Sequence, residues 1–503
     1  MALIDNLREM ERTRESYWRR YPQTSPTKLR WRAITVRHWF HVLPTESVLE
    51  IGAGSGLWTQ PLTDVLRAES PVTAAVFNAD LAEEARARAL PATTVTHVAD
   101  LARDLPENAF DYVVGTAILC HDRYAEHLRW LMQLLKPGGR ILFFEANFWN
   151  AQVLVKSLVP AVGRRAGNAR CQIGMRRFRL MQALSQQGFT EIEITPYDIV
   201  HPRTPKALIP AVQSSAFVLE HAPIVREACG TLYIAGKKPG DEAARRPRPN
   251  LAEHRSLARS TSVVVPCRNE EMNVPGLVQA LTDAYDEYLK EILIVDDSSN
   301  DATARTTRAL GEQDPRIWLL AREPPGGVGR ALRDGYAAAT GDLILSMDCD
   351  FRLIVPELRD LFDAVAAGRE GAIGSRFSHD SILVHYPFAK VVANRGFHLL
   401  ARLALRRPLR DISNNLKLYR ADILRDLEIT RPDFAANVET GLKPLLAGHD
   451  IVEVPISWID RSDEMGTSSF RLARLAPSYV LSLLGVLRNG ASPARPSPGA
   501  TSR

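Results

Sequence analysis

Val48-Leu-Glu-Ile-Gly-Ala-Gly-Ser-Gly56 decides how the first half of this chain folds. An apolar, β-prone run ends in three alternate glycines, and a helical pattern follows. Glycines free of Cβ at that junction let the backbone approach a ligand closely at the helix N-terminus. Working outward, Val72-Thr-Ala-Ala-Val-Phe, Phe110-Asp-Tyr-Val-Val and Arg140-Ile-Leu-Phe-Phe-Glu read as further strands, with Thr231-Leu-Tyr-Ile-Ala-Gly as a closing one. Asp80 to Leu90 and Tyr124 to Leu135 read as helices between them. The same alternation returns in Ser262 to Pro266, Glu291-Ile-Leu-Ile-Val-Asp-Asp, Arg316-Ile-Trp-Leu-Leu and Asp342-Leu-Ile-Leu-Ser-Met-Asp. This spacing predicts an α/β protein with two doubly wound, mostly parallel sheets, whose ligands bind at the carboxyl ends of the strands.

Between the two series, residues 238–259 hold almost no large apolar side chains and carry Pro239, Pro247 and Pro249, the profile of an extended linker. The predicted organisation is a first domain over 1–240 with an N-terminal helical extension, a linker over 241–259, a second domain over 260–488 and a disordered, Pro/Ser/Ala-rich tail over 489–503. The 503 residues are too many for one ordinary core. With 45% hydrophobic and 24% charged residues, disordered, collagenous and polytopic membrane classes are excluded. Cys120, Cys171, Cys229, Cys267 and Cys349 stand singly, so neither a zinc cage nor a disulfide framework is spelled out and a reducing compartment is expected.

The first thirty residues lack a signal-like apolar stretch, and the longest charge-free candidate elsewhere, Leu475 to Leu487, is shorter than the ~20 residues that cross a bilayer. A cytoplasmic protein, at most peripheral at the inner face of a membrane, is expected. The net charge of +5 conceals a concentration of bases. From Arg376 to Arg420 nine Lys and Arg face only Asp380 and Asp411, and a local excess of seven seeks phosphates. No nucleic-acid partner is expected.

In the first half an acid, Glu50, precedes the glycines, Val98-Ala-Asp100-Leu follows the third strand, Asp111-Tyr-Val-Val opens the fourth and Leu135-Lys-Pro-Gly-Gly-Arg-Ile-Leu leads into the fifth. This ordered set resembles the class I S-adenosylmethionine-dependent methyltransferases over about residues 46–237, with their Rossmann-like fold. The resemblance implies S-adenosyl-L-methionine as cofactor, its amino acid part held by Glu50 with the Gly52, Gly54 and Gly56 turn and its adenine amine faced by Asp100. Where the family usually ends its second strand in an acid that grips the ribose, this chain has Asn78, which can bond a ribose hydroxyl, with Asp80 nearby as a second polar group or a helix N-cap. Methyl transfer from a sulfonium is assisted mainly by proximity and exclusion of water, so a base is optional and no metal is required. His121 and Glu145, at the ends of the fourth and fifth strands, are the candidate bases; a packed or capping His and an ordinary hydrogen-bonding Glu are the alternatives. Residues 148–230, rich in Arg and aromatics, are expected to cap the crevice and choose the acceptor.

In the second half Asp348-Cys-Asp350 closes an aliphatic strand. Strand residues two apart share a face, so both carboxylates can meet one divalent cation, Mg²⁺ or Mn²⁺, that keeps positions for substrate phosphates. The pair follows Val265-Pro-Cys-Arg-Asn-Glu270, Ile294-Val-Asp-Asp297-Ser-Ser-Asn-Asp301 and Gly326-Gly-Val-Gly-Arg-Ala-Leu-Arg-Asp-Gly335. It precedes Gly374-Ser-Arg376-Phe, Asn394-Arg395-Gly, Asp411-Ile-Ser-Asn-Asn-Leu-Lys-Leu-Tyr-Arg and Glu453-Val-Pro-Ile-Ser-Trp-Ile-Asp-Arg461. The series resembles the inverting family 2 glycosyltransferases of the GT-A fold, and within them the polyprenyl-phosphate sugar synthases of dolichyl-phosphate mannose type, over about residues 261–472.

That resemblance implies a nucleotide-sugar lined by Pro266, Glu270, Asp297 and Gly329, a metal engaged by the catalytic Asp348 and Asp350, and an acceptor phosphate met by Arg376 and Arg395. The family's late Arg-x-x-Gly-x-Ser-Lys element appears as Arg461-Ser-Asp-Glu-Met-Gly466-Thr-Ser468-Ser-Phe-Arg471, and Arg352 stands where a polar uncharged residue is usual. A phosphate acceptor is already an anion; a sugar hydroxyl would need a base, and Glu439 is the candidate. The basic stretch beside Tyr386-Pro-Phe-Ala-Lys-Val-Val and Phe397-His-Leu-Leu-Ala-Arg-Leu-Ala-Leu suits a polyprenyl phosphate or glycolipid at a membrane surface. The expected function is a bifunctional transferase serving one glycan or glycolipid pathway. The alternatives are a glycosyltransferase carrying a methyltransferase-like binding or scaffolding module, and a soluble transferase acting on a sugar or small molecule.

Overall fold

The structure, a computed structural model, describes residues 2–165, 174–241, 250–459 and 472–489. The chain divides into two compact units, Met1–Pro247 and Arg248–Arg503.

The first unit is built on seven strands: β1 Val48–Ile51, β2 Val72–Val76, β3 Thr93–His97, β4 Phe110–Thr116, β5 Leu135–Ala146, β6 Thr190–Tyr197 and β7 Thr231–Lys237. They stand in the order β3-β2-β1-β4-β5-β7-β6, parallel from β3 to β5, with β7 antiparallel to β5 and β6. The order reverses between β1 and β4, so a crevice for ligand opens at the carboxyl end of β1. β1 and β4 are buried along their whole length, as central parallel strands covered on both faces must be. β5 begins five residues earlier than the sequence predicts, with a register irregularity opposite Phe110 and Tyr112. Two helices precede the sheet, α1 Leu3–Arg20 and α2 Ser25–Phe40. α1 buries Leu3, Leu7, Met10 and Trp18 at helical spacing, and the first three join the core around Leu49, Ile51 and Phe77. Glu11, Arg14 and Glu15 are buried on the same helix.

The second unit carries β8 Thr261–Cys267, β9 Leu289–Asp296, β10 Ile317–Ala321, β11 Leu343–Ser346, β12 Gly371–Ser375, β13 Leu383–Val384, β14 Lys417–Arg420, β15 Ile451–Pro455 and β16 Trp458–Ile459. Seven of them form a sheet of order β10-β9-β8-β11-β14-β12-β15, in which only β14 runs antiparallel to its neighbours; β13 and β16 make a separate parallel pair. Both sheets are thus mostly parallel α/β sheets.

Two expectations are corrected. β11 ends at Ser346, so the strand alternation expected to aim both carboxylates does not reach them; Asp350 lies in the 3₁₀ segment Cys349–Glu357. Residues 250–259, expected within the linker, pack on the second unit. Leu251 and Leu257 are buried, the Leu251 amide donates to Ala284 O at 2.7 Å, Glu253 pairs with Arg359, and His254 Nε2 lies 2.7 Å from Asp363. Two leucines six residues apart suffice to dock a segment that composition alone marks as polar. The expected tail begins at the last residue of the helix Leu472–Asn489 and otherwise lies outside the described residues, as do linker residues 242–249. No described helix is long and apolar enough to cross a membrane.

Candidate functional site

At the carboxyl end of β1, Gly52, Gly54 and Gly56 adopt φ of +68°, +60° and +80°, a region that L side chains rarely enter. The cradle expected there is present, and α1 fills it. Glu11 accepts hydrogen bonds from the amides of Gly54 (3.1 Å), Phe77 (3.0 Å) and Asn78 (2.9 Å) and from Asn78 Nδ2 (2.7 Å). Glu15 accepts from the hydroxyl and amide of Ser55, and Arg14 donates to the carbonyls of Gly52 and Thr116. Arg12 Nε donates to Asn78 Oδ1 at 2.7 Å and pairs with the exposed Asp80. A Cβ at Gly54 would stand 2.6 Å from Glu15 Oε2, so that glycine makes room for α1. The sheet supplies the groups a nucleoside sulfonium would use, and in this arrangement the amides of Gly54, Phe77 and Asn78 and the Asn78 side chain are engaged by α1.

Glu50 is the exception. It is buried, accepts from Thr59 Oγ1 at 2.7 Å, and its Oε1 has no hydrogen-bond partner among the described residues. Burial pushes its pKa up to about 7. An unsatisfied buried acceptor is costly, and an ammonium donor would satisfy it. Asp100 is exposed beyond β3, its carboxylate accepting from the Ala102 amide at 2.9 Å. His121 opens the 3₁₀ turn His121–Arg123, its ring 5.6 Å from that of Tyr124. Glu145 is buried and accepts the amides of Ile118 (2.8 Å) and Leu119 (2.9 Å); burial pushes it up to about 7 despite those donors. It braces the loop that leads to His121.

In the second unit the carboxyl ends of β8, β9 and β11 converge. Pro266 is paired with Val295 near the end of β8, and the Asp297 amide donates to Cys267 O at 2.8 Å. The Asp297 carboxylate accepts the Gly327 amide at 2.6 Å and pairs with Arg322. The Glu270 amide donates to Thr303 Oγ1 at 2.9 Å. Asp348 Oδ1 accepts Asn415 Nδ2 at 2.7 Å, and Asn415 is fixed in turn by Ser346 and Tyr336. Cys349 is buried against Cys267, with Glu270 and Asp350 in its field, so the ends of β8 and β11 bring predicted residues together. Two carboxylates at a strand end are a donor set that fits a hard divalent cation. Lys417, counted above among the bases from Arg376 to Arg420, is instead buried in β14 with Nζ donating to Asn437 O (3.0 Å) and Thr440 Oγ1 (2.8 Å). Burial lowers its pKa to about 7 against the pull of Asp411 and Asp348.

Two predicted residues make close packing contacts. Gly329 lies in the helix Val328–Ala338, its amide donating to Pro432 O at 2.9 Å, and a Cβ there would collide with the Arg431 carbonyl. Glu439 accepts the Thr430 amide (2.9 Å) and hydroxyl (2.6 Å) and the Arg431 amide (2.9 Å), and pairs with Lys443 at 3.0 Å. Its oxygens thus hold that same loop.

Arg376 and Arg395, expected to act alike, differ. Arg376 makes a bidentate pair with buried Asp411, Nε–Oδ2 2.7 Å and Nη2–Oδ1 2.9 Å, and faces the rings of Phe377, Tyr386 and Trp458. Burial works against its charge, and Asp411 more than offsets this, holding its pKa above the usual range. Arg395 lies 5.7 Å from the Phe377 ring, and burial, then Arg402 and Arg410, push its pKa down. His379 is likewise pushed down by burial and by Arg410. Arg376 is therefore neutralised by its pair with Asp411, whereas Arg395 feels Arg402 and Arg410 against Asp411 and Glu453. The side chain of Arg352 and the Arg461–Arg471 element lie outside the described residues.

The description "Glycosyl transferase family 2" matches residues 262–428, and "Methyltransferase domain" matches residues 17–194. The polyprenol monophosphomannose synthase of Mycolicibacterium smegmatis is 30% identical over 220 residues, covering 41% of this chain and 80% of that protein. The chain belongs to glycosyl transferase family 2. An undecaprenyl-phosphate mannosyltransferase of Micrococcus luteus is 29% identical over 41% of this chain and 85% of its own length. With its methyltransferase domain, this family 2 protein is a two-domain transferase whose second half is polyprenyl-phosphate mannosyltransferase-like. Among solved structures, glucosyl-3-phosphoglycerate synthase of Mycobacterium tuberculosis with Mn²⁺, uridine-diphosphate-glucose and phosphoglyceric acid aligns with TM-score 0.38 and 18% identity over 48% of this chain and 85% of that one. A SAM-dependent methyltransferase of Thermotoga maritima aligns with TM-score 0.33 and 16% identity over 46% and 99%. The family 2 match includes Asp297, Asp348, Asp350, Arg376 and Arg395 and stops before Glu439. The methyltransferase match begins at residue 17 and so leaves out Glu11, Arg14 and Glu15.

Proposed function

We propose that the family 2 half transfers a sugar, mannose being the first to test, from a nucleotide-sugar to a polyprenyl phosphate at a membrane surface. The observation that carries this reading is Arg395, crowded by Arg402 and Arg410, on the helix Phe388–Leu405 whose Val392, Leu399, Leu400 and Leu403 are exposed. The helix Leu472–Asn489 exposes Val480, Leu481 and Leu484. Apolar side chains among cations suit the headgroup layer and would bring a lipid phosphate to Arg395. The relatives named for polyprenol and undecaprenyl phosphate support that acceptor. A Mg²⁺ or Mn²⁺ ion on Asp348 and Asp350 would neutralise the diphosphate leaving group. Asn415 orients Asp348, Asp297 is held ready for the nucleotide by Gly327 and Arg322, and Arg376 fixes the aromatic wall beside Arg395. An anionic acceptor needs no base, in keeping with a fully engaged Glu439. The test is metal-dependent transfer of label from nucleotide-mannose donors: product on polyprenyl phosphate supports the reading, and product on sugar hydroxyls alone overturns it.

The methyltransferase half, in this proposal, methylates an acceptor of the same glycan or glycolipid pathway, because linkage raises the effective concentration of one product at the other site. S-adenosyl-L-methionine binds when α1 leaves the crevice, which frees the amides of Gly54, Phe77 and Asn78 beside Glu50.

A further inference from the structure

Between Glu145 and Glu191 the chain runs 45 residues without an Asp or Glu and with seven Lys or Arg. Much of what is described of this stretch turns its apolar side chains outward. The helix Ala151–Leu158 buries none of its residues, and Val155 and Leu158 are exposed on it, followed by Val159 and Val162. Trp149 is 58% exposed, Phe178, near the start of the helix Arg177–Gln186, is 80% exposed, and Ile224 on a third segment is 87% exposed. Hydrogen bonds join these segments into one face. Asn150 Nδ2 donates to Ala228 O at 2.7 Å, Asn147 Nδ2 to Glu227 O at 2.9 Å, and the Gly174 amide to Ser157 Oγ at 2.9 Å. Arg176 stacks 4.2 Å over Phe148, and Glu227 is tied to Arg177 and Arg226. Lys156, Arg176 and Arg179 complete a face that is apolar and cationic.

An amphipathic helix of a soluble domain turns its apolar stripe to the core, and an exposed patch of this extent marks a contact surface. The core of a protein–protein interface is depleted of charge and its rim mixes both signs. Exposed Trp, Phe and aliphatic side chains among cations that outnumber the one carboxylate named there, Glu227, match an anionic bilayer, where apolar tips enter the acyl boundary and cations meet headgroups. The face starts where β5 ends: Met175 bridges to Asn147 and accepts from the hydroxyl of Tyr124, the ring beside His121. It therefore adjoins the side of the crevice where a methyl acceptor would enter.

We propose that the face formed by Trp149, the helix Ala151–Leu158, Phe178 and Ile224 seats the methyltransferase half on an anionic bilayer, so that its methyl acceptor is a lipid-borne molecule. This assignment does not depend on the acceptor of the family 2 half. It is tested on the full chain by placing a polarity-sensitive dye at Phe178→Cys in a Cys171→Ser background, since Cys120, Cys229, Cys267 and Cys349 are buried. The dye emission is expected to shift to the blue with phosphatidylglycerol-containing vesicles at low salt and to stay unchanged with pure phosphatidylcholine or at high salt. At about 1 kcal/mol per basic residue, Lys156→Glu with Arg179→Glu is expected to raise the vesicle concentration for half-shift about thirtyfold or more. Co-sedimentation without a dye shift would assign membrane contact to the other half alone and overturn the proposal. Equal shifts with neutral vesicles, or a shift that follows protein concentration without vesicles, would do the same, the latter assigning the face to a second copy.

Discussion

The two halves use glycine-rich strand ends differently. In the methyltransferase half Gly52 and Gly54 open a space that charged side chains of α1 enter, while Gly56 faces Arg88; in the family 2 half Gly327 and Gly329 admit the main-chain carbonyls of Pro432 and Arg431. A glycine motif states that something comes close. Whether that is a ligand, a side chain or the chain's own backbone is decided by residues far away, here Glu11 in one half and Glu439 in the other.

The largest effect is expected where the family 2 half has neutralised its own charge. Arg376→Ala leaves Asp411 buried and unpaired, which should cost about 3–5 kcal/mol and lower the denaturant midpoint of the second unit. Arg395→Ala should change stability by no more than about 0.5 kcal/mol while raising KM for a lipid phosphate. Equal destabilisation at both positions would erase the distinction between them. Next, Asp350→Ala should lower kcat for sugar transfer by about 10²–10³-fold and leave methyl transfer untouched; a variant with full sugar transfer would remove the metal from this site. In the other half, Glu11→Ala gives up bonds to three amides worth about 1–3 kcal/mol of α1 docking. Apparent affinity scales with the open fraction, so calorimetry should find S-adenosyl-L-methionine bound about tenfold more tightly. Weaker binding would instead make Glu11 part of the cofactor site.

The smallest effect separates the halves by pH. Glu50 and Glu145 are pushed up to about 7 by burial, so the folded first unit keeps protons that the unfolded chain has released. Their contribution is full at low pH and is lost as pH rises through 7, which should make this unit more stable at pH 6.5 than at pH 8 by about 1 kcal/mol per carboxyl. Lys417, lowered to about 7, works the other way: the folded second unit holds fewer protons than its unfolded chain, and its stability rises as pH rises from 6.5 to 8. Scanning calorimetry should show two transitions moving in opposite directions, and Glu145→Gln should flatten the first. Parallel movement would refute the assignment.

Runs such as Glu291-Ile-Leu-Ile-Val and Val48-Leu-Glu-Ile were legible because a strand covered on both faces must be apolar along its length. The Asp348-Cys-Asp350 pair was legible as chemistry and misread as geometry, since nothing local announces that β11 stops at Ser346. Glu11, Arg14 and Glu15 are not legible because charges three and four apart on a helix usually pair on a solvated face, and the strand-end groups they bond lie 38 to 102 residues on. Arg376 and Arg395 each follow a small polar motif, and the partner that separates their roles, Asp411, is 35 residues from Arg376. Glu439 was found as a carboxylate in the right region, but its donors, Thr430 and Arg431, precede it on a loop whose path the sequence does not state.

That loop has a consequence for how the protein can change over generations. Glu439 draws Thr430 and Arg431 inward, and the Arg431 carbonyl then lies against Gly329, so the two positions are coupled through main chain alone. A side chain at 329 is forbidden while Glu439 holds the loop and becomes tolerable once that hold is released. The order in which substitutions at 329 and 439 arise should therefore decide whether both are tolerated.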